Sequence, residues 1–183
     1  MKRLCAIAIL ASTLACPGAA AANRPPVVAL LELDNLIHPI TAEYVEQGLR
    51  EAASRGAAAV LLRLNTPGGL DTAMRTIISA ILASPVPVIV WVGPGGSRAA
   101  SAGFLILLSA DVAAMAPGTN TGAAHPVLIT GDKMDDVMKQ KVANDAAAYL
   151  RSIAGQRGRN PAVAEKECSK ASRSRKQKPL RTT

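Results

Sequence analysis

The sequence predicts an α/β protein with a mostly parallel sheet, and three observations carry that prediction. Short apolar runs with no polar alternation recur along the chain, the pattern of strands buried in a parallel sheet. Between them lie segments whose apolar residues repeat at helical spacing. Glycine- and proline-rich turns close two of the central strand runs. Strands of this kind, separated by helices, predict a sheet covered on both faces.

The elements follow in order. Val27 to Leu31 is a short strand run. Thr41 to Ser54 reads as a helix, with Thr41 as N-cap candidate, Tyr44, Val45, Leu49 and Ala52 on one face and Gly56 as the stop. Ala58 to Leu64 is a buried strand ended by Pro67-Gly68-Gly69. Asp71 can cap a helix through Ala83 that carries Met74, Ile77, Ile78 and Ile81 on one side. Pro87 to Val92 is again strand, and the alanine-rich residues 99–110 read as a buried helix. Val112 to Met115 is a short strand, and Val137 to Ala154 is a long amphipathic helix closed by Gly155.

With 183 residues the chain holds one ordinary domain. An apolar content of 49% argues against disorder, and an aromatic content of 2% argues against a base-stacking nucleic-acid platform. The net charge of +8 sits at the two ends. Lys2 and Arg3 open the chain, and residues 166–183 hold seven basic side chains against one acid, Glu167. The body between them is neutral, so the charge gives no reason to expect a nucleic-acid partner.

Residues 1–22 have the features of a secretory signal peptide. A basic start is followed by an apolar run from Leu4 to Ala15 and by small residues up to a cleavage point after Ala22. The reading is therefore an exported protein, periplasmic or membrane-associated, with its folded domain over residues 23–165. Three cysteines, two of them inside the leader, provide no disulfide framework.

Three loop segments after predicted strands concentrate the chemistry. In Asn65-Thr66-Pro67-Gly68-Gly69 the paired glycines either make a plain turn or bring backbone N–H groups close to a ligand. In Gly95 to Gly103, Ser101 lies among small residues where a buried helix begins. The free N–H groups and dipole there favour a developing negative charge, but a small packing residue would fit equally well. The third segment, Gly118 to Lys141, contains His125 and ends on a lysine near the start of the long helix. Most lysines are solvated surface charges, and use of one as a base requires desolvation to a neutral amine. No phosphate-loop glycine pattern occurs, and two histidines among scattered carboxylates lack metal-ligand spacing, so neither cofactor nor metal is expected.

Taken together, Asn65-Thr66-Pro67-Gly68-Gly69, Arg98-Ala99-Ala100-Ser101-Ala102-Gly103, Met115 to Asn120 and Gly122 to Pro126 resemble the N-terminal protease domain of the NfeD family. That family lies in the Clp-protease/crotonase superfamily and is similar to signal peptide peptidase A. The resemblance spans about residues 25–165. It implies repeated ββα units and a membrane-associated serine endopeptidase that cuts hydrophobic segments of substrates such as stomatin-like proteins, working as a homodimer. Position by position, it implies Ser101 as nucleophile and Lys141 as general base. Gly69 and Ala102 would be the oxyanion-hole donors. His125, 24 residues after Ser101, is the rival base by analogy with Clp proteases. The superfamily also contains acyl-CoA enzymes and non-catalytic members, so a membrane-assembly or binding module is the alternative function.

Beyond Lys166 the composition changes sharply. Where the family would continue with an acidic helix and a final strand, residues 166–183 are basic and carry no apolar periodicity. The expectation is a frameshifted or prematurely ended reading frame, with a basic tail for anionic lipid as the other reading.

Overall fold

The computed structural model describes residues 25–122 and 135–166. The leader, His125 and the tail from Glu167 onward lie outside the described residues. Strand β1 (Val28–Asp34) leads to helix α1 (Pro39–Ser54), then β2 (Ala59–Asn65), α2 (Asp71–Leu82) and β3 (Val88–Val92). After them come β4 (Arg98–Ala100), α3 (Ala102–Ser109), β5 (Val112–Met115), β6 (Asn120–Gly122) and α4 (Asp136–Gln156).

The main sheet has the order β1-β2-β3-β5 and every pairing in it is parallel. Parallel neighbours need a crossover, and α1, α2 and α3 supply the crossovers here. Leu31 and Leu33 of β1, Val60, Leu62 and Leu64 of β2, and Val88, Val90 and Val92 of β3 are buried. They share one face with the helix residues Val45, Leu49, Ile77, Ile78, Ile81 and Ile106 in a single core.

The other face departs from the two-faced burial expected of such apolar strands. Register places Leu30, Leu61, Ile89 and Val112 in one row across it, with Glu32, Arg63, Trp91 and Ala114 in the next. Leu30 is 56% exposed and Val112 52%, so among the described residues no helix covers this side. An apolar run reports that a strand side can be buried, not by which part of the assembly. Arg63 and Glu32, directly paired in register, form a 2.9 Å ion pair there.

Two helix starts differ from expectation for a local reason. α1 begins at Pro39 rather than after Thr41, because proline suits the first turn and the Thr41 hydroxyl reaches back to accept the His38 N–H at 2.9 Å. The segment read as one helix from residue 99 divides into β4 and α3. Thr66 N–H donates to Arg98 O at 2.7 Å and Ala100 N–H donates to Thr66 O at 3.1 Å, which draws residues 98–100 into strand geometry. β4 then pairs in parallel with β6 to make a small second sheet that the sequence did not reveal.

α4 is anchored at its C-terminal end. Arg157 donates to Ser109 O at 2.6 Å and pairs with Asp111, while Arg159 donates to Leu108 O and Ala110 O at 2.9 and 2.8 Å. These two guanidiniums satisfy carbonyls at the end of α3 that no helical N–H can reach.

Candidate active site

The site is built where β2 and the β3–β4 connection leave the sheet at its C-terminal edge. Thr66 is fully buried at the end of β2, and its hydroxyl accepts the Gly68 N–H at 3.1 Å, which curls the chain into the Pro67-Gly68-Gly69 turn. Gly68 has φ +115°, a backbone region that side chains rarely enter. Asn65 braces the turn from the other side. Its carboxamide accepts the Arg98 N–H at 2.9 Å and donates to Asp34 at 2.9 Å, tying β1, β2 and β4 together.

Ile37 fixes the orientation of Gly69. Ile37 N–H donates to Gly68 O at 2.9 Å, and its carbonyl accepts Leu70 N–H at 2.8 Å. In such a parallel bridge the intervening residue turns its own N–H to the opposite side, so that of Gly69 faces away from Ile37. A Cβ on Gly69 would lie 2.0 Å from the Ile37 carbonyl oxygen, so only glycine permits this approach.

Ser101 sits at the N-cap of α3 with φ 54° and ψ −116°. Among the described residues no other non-glycine residue has a positive φ. Its N–H donates to Gly122 O at 2.8 Å, and Phe104 N–H returns to its carbonyl at 3.0 Å. A residue held in so sparsely populated a conformation costs about 1–3 kcal/mol and persists because its surroundings over-determine it. Gly103 contributes one such constraint: a Cβ there would meet the Thr66 methyl at 2.5 Å, so α3 lies directly on the end of β2.

Of the residues singled out in the sequence, Ser101, Gly69 and Ala102 fall together. A Cβ on Gly68 would be 2.7 Å from Ser101 Cβ and 3.2 Å from its Oγ, which puts the serine hydroxyl against the glycine turn. Ala102 is the first residue of α3, where no carbonyl one turn back is available to its N–H. Among the described residues neither the Gly69 nor the Ala102 N–H enters a hydrogen bond.

Lys141 is exposed, six residues into α4, and makes no hydrogen bond or ion pair with Ser101. α4 runs parallel to α2: Arg75 reaches Asp145, and Arg157, twelve residues on, reaches Ile81 O. The N-terminal end of α4 therefore extends past the start of α2, toward the edge that carries Gly69 and Ser101. His125 lies outside the described residues. Among the described residues no three His, Cys, Asp or Glu side chains gather as a metal centre needs.

Thr66 and Arg75 were missed in the sequence. Thr66 lies inside the Asn65–Gly69 motif, but only its burial and its bond from the Gly68 N–H show the hydroxyl shaping the turn. Arg75 lies on a helix in no motif, and nothing in the sequence announces its partners.

The sequence profile of the NfeD1b N-terminal domain matches residues 27–177. The chain belongs to this family. It is 35% identical over 145 residues to membrane-bound protease PH1510 of Pyrococcus horikoshii, covering 79% of this chain and 33% of that protein. It is 34% identical over 123 residues to membrane protein NfeD1b of Bacillus subtilis, covering 67% of this chain and 26% of that one. The NfeD1b-family chain thus spans a third or less of the curated relatives it matches.

Among solved structures it resembles the 1510-N membrane-bound stomatin-specific protease in a serine-to-alanine mutant, with TM-score 0.73, 34% identity and coverage of 80% of this chain and 72% of that one. A lysine-to-alanine mutant of the same protease, in complex with a substrate peptide, gives TM-score 0.72 at 34% identity, covering 79% and 67%. A ClpP1 mutant from Listeria monocytogenes, at TM-score 0.58 and 23% identity over 75% of this chain and 77% of that one, shares the fold. The expected Clp-protease-like α/β architecture is thereby confirmed. The relatives are named as membrane proteins, and among the described residues no helix is long and apolar enough to cross a membrane.

Proposed function

We propose that the chain is a membrane-associated serine endopeptidase working through a Ser101–Lys141 dyad on hydrophobic protein segments. The observation that carries this reading is the strained Ser101 at the N-terminus of α3, packed against a glycine turn with two unused N–H groups beside it. Supporting it, the solved relative is a protease whose serine-to-alanine and lysine-to-alanine mutants were chosen for study.

In this reaction Lys141, as a neutral amine, takes the proton from Ser101 Oγ as that oxygen bonds to the scissile carbonyl carbon. The carbonyl π electrons move to oxygen, and the N–H groups of Gly69 and Ala102 hold the resulting anion. Each such donor supplies roughly 3 kcal/mol of transition-state stabilisation. The intermediate collapses with loss of the amine, which receives its proton from Lys141. Water then repeats the sequence on the acyl-enzyme, with Lys141 again as base. Because Lys141 is exposed in the free chain, the bound peptide is what removes water from its amine.

A stomatin-like membrane protein is the substrate this reading favours, following the specificity named for the relative. The chain acts after export, as a homodimer, with the uncovered sheet face around Leu30 and Val112 as a surface for the second copy. The test is cleavage of a fluorogenic peptide with apolar residues on both sides of the scissile bond. Activity lost in both Ser101→Ala and Lys141→Ala is expected, and full activity in either overturns the dyad.

A further inference from the structure

Arg75 projects from the second turn of α2 and holds three partners at once. Its Nε donates to Asp71 at 2.7 Å, at the start of the same helix and two residues after Gly69. Its Nη2 donates to Asp145 of α4 at 2.6 Å. Its guanidinium carbon lies 4.2 Å from the centroid of the Tyr149 ring, a cation–π contact. Burial alone would lower the Arg75 pKa, but Asp71 and Asp145 outweigh it and leave the guanidinium more firmly charged. Burial pushes the Tyr149 phenol up, against the lowering effect of Arg75, so it stays neutral beneath the cation.

Lys141, Asp145 and Tyr149 are spaced four residues apart and therefore share one face of α4. Arg75 grips that face at two of the three positions, and the third, one turn or about 6 Å further toward the helix N-terminus, is Lys141. Residues 135–141 are all exposed, so little core packing holds this end of α4. The nearest fully buried side chain of α4 is Leu150, nine residues on, followed by Ile153 and Ala154 and then by the Arg157 and Arg159 contacts. Arg75 therefore grips α4 between that packed part and Lys141, at Asp145 and Tyr149, where it limits pivoting of the exposed end.

We propose that Arg75 is a positioning residue for the reaction: through Asp145 and Tyr149 it sets Lys141 relative to α2, whose first residue, Asp71, it also binds two residues after the Gly69 turn. This rests on the dyad reading. Arg75, Asp71 and Asp145 are partly exposed, and surface ion pairs contribute little to stability, so loss of the clamp should leave the fold intact. A misplacement of about 1 Å in a catalytic group costs on the order of 100-fold in rate.

The test compares Arg75→Met, Arg75→Lys, Asp145→Asn, Ser101→Ala and Lys141→Ala in the full chain, with the apolar fluorogenic peptide as probe. Arg75→Met is expected to lower kcat about 10- to 100-fold with KM within twofold and an unchanged melting temperature. Arg75→Lys should recover part of the loss, since a lysine keeps the charge but not the fork. Asp145→Asn should fall in the same direction. Wild-type kcat in Arg75→Met, with Ser101→Ala and Lys141→Ala inactive, overturns the positioning role and leaves the dyad standing. A loss of kcat matched by a fall in melting temperature, unrescued by lysine, overturns it as well. Full activity in Lys141→Ala overturns the dyad and this proposal with it.

Discussion

Ser101 and Gly68 are in direct contact: a methyl added to Gly68 would lie 2.7 Å from Ser101 Cβ and 3.2 Å from Oγ. The turn that shapes the proposed oxyanion pocket and the residue proposed as nucleophile thus cannot be moved separately. Both are tied to Thr66, which binds Gly68 through its hydroxyl and β4 through its backbone.

The glycine turn should tolerate no side chain. Gly69→Ala brings a Cβ to 2.0 Å from a backbone oxygen, and Gly68→Ala adds a Cβ at φ +115°. Each is expected to destabilise by about 1–3 kcal/mol and to lower kcat by about 100-fold or more. Denaturant melts and peptide kinetics check this; a Gly69→Ala protein with wild-type kcat would show that the turn has no part in the chemistry.

Thr66 should matter for geometry out of proportion to its size. Thr66→Val keeps the shape but deletes the acceptor for the Gly68 N–H, with an expected loss of about 1–3 kcal/mol from the unpaired donor. Reactivity of Ser101 toward a fluorophosphonate should drop with it. Unchanged stability and labelling in Thr66→Val would mean the turn holds itself.

The base can be assigned by pH–rate measurement. The dyad reading expects His125→Ala to keep both activity and the shape of the kcat/KM profile, while Lys141→Ala loses about 1,000-fold. The opposite pattern, with a profile limb that disappears only in His125→Ala, would transfer the role to the histidine.

At the far end of the molecule Arg157 is a stability residue. It is largely buried, pairs with Asp111 and donates to Ser109 O. Arg157→Ala leaves those acceptors without their donor and is expected to cost about 3 kcal/mol, read by urea denaturation. A cost below 0.5 kcal/mol would make the clamp incidental.

Leu30→Lys probes the uncovered sheet face. Leu30 is already 56% exposed, so the monomer should stay folded within about 0.5 kcal/mol. For the proposed homodimer, sedimentation should then show a shift to monomer; a dimer that persists places the subunit contact elsewhere.

Much of this was legible in the sequence. The parallel sheet followed from apolar runs such as Pro87 to Val92, and α2 from the spacing of Met74, Ile77, Ile78 and Ile81. The placing of Ser101 at a helix start was also sound. What escaped were features decided by distant contacts. Arg98–Ala100 is alanine-rich and locally helical in character, but its hydrogen bonds to Thr66 make it a strand. The open face of the sheet escaped because Leu30 and Leu31 are equally apolar, and only the register tells which one meets the helices. The Arg75 clamp escaped because it joins positions 70 residues apart.

The proposed mechanism makes Ser101 a nucleophile activated by Lys141. Mass spectrometry of the full chain after treatment with a fluorophosphonate tests it most directly. A single adduct on the peptide containing Ser101 is expected, formed far more slowly in Lys141→Ala. No adduct at Ser101, or peptide cleavage undiminished in Ser101→Ala, would contradict it.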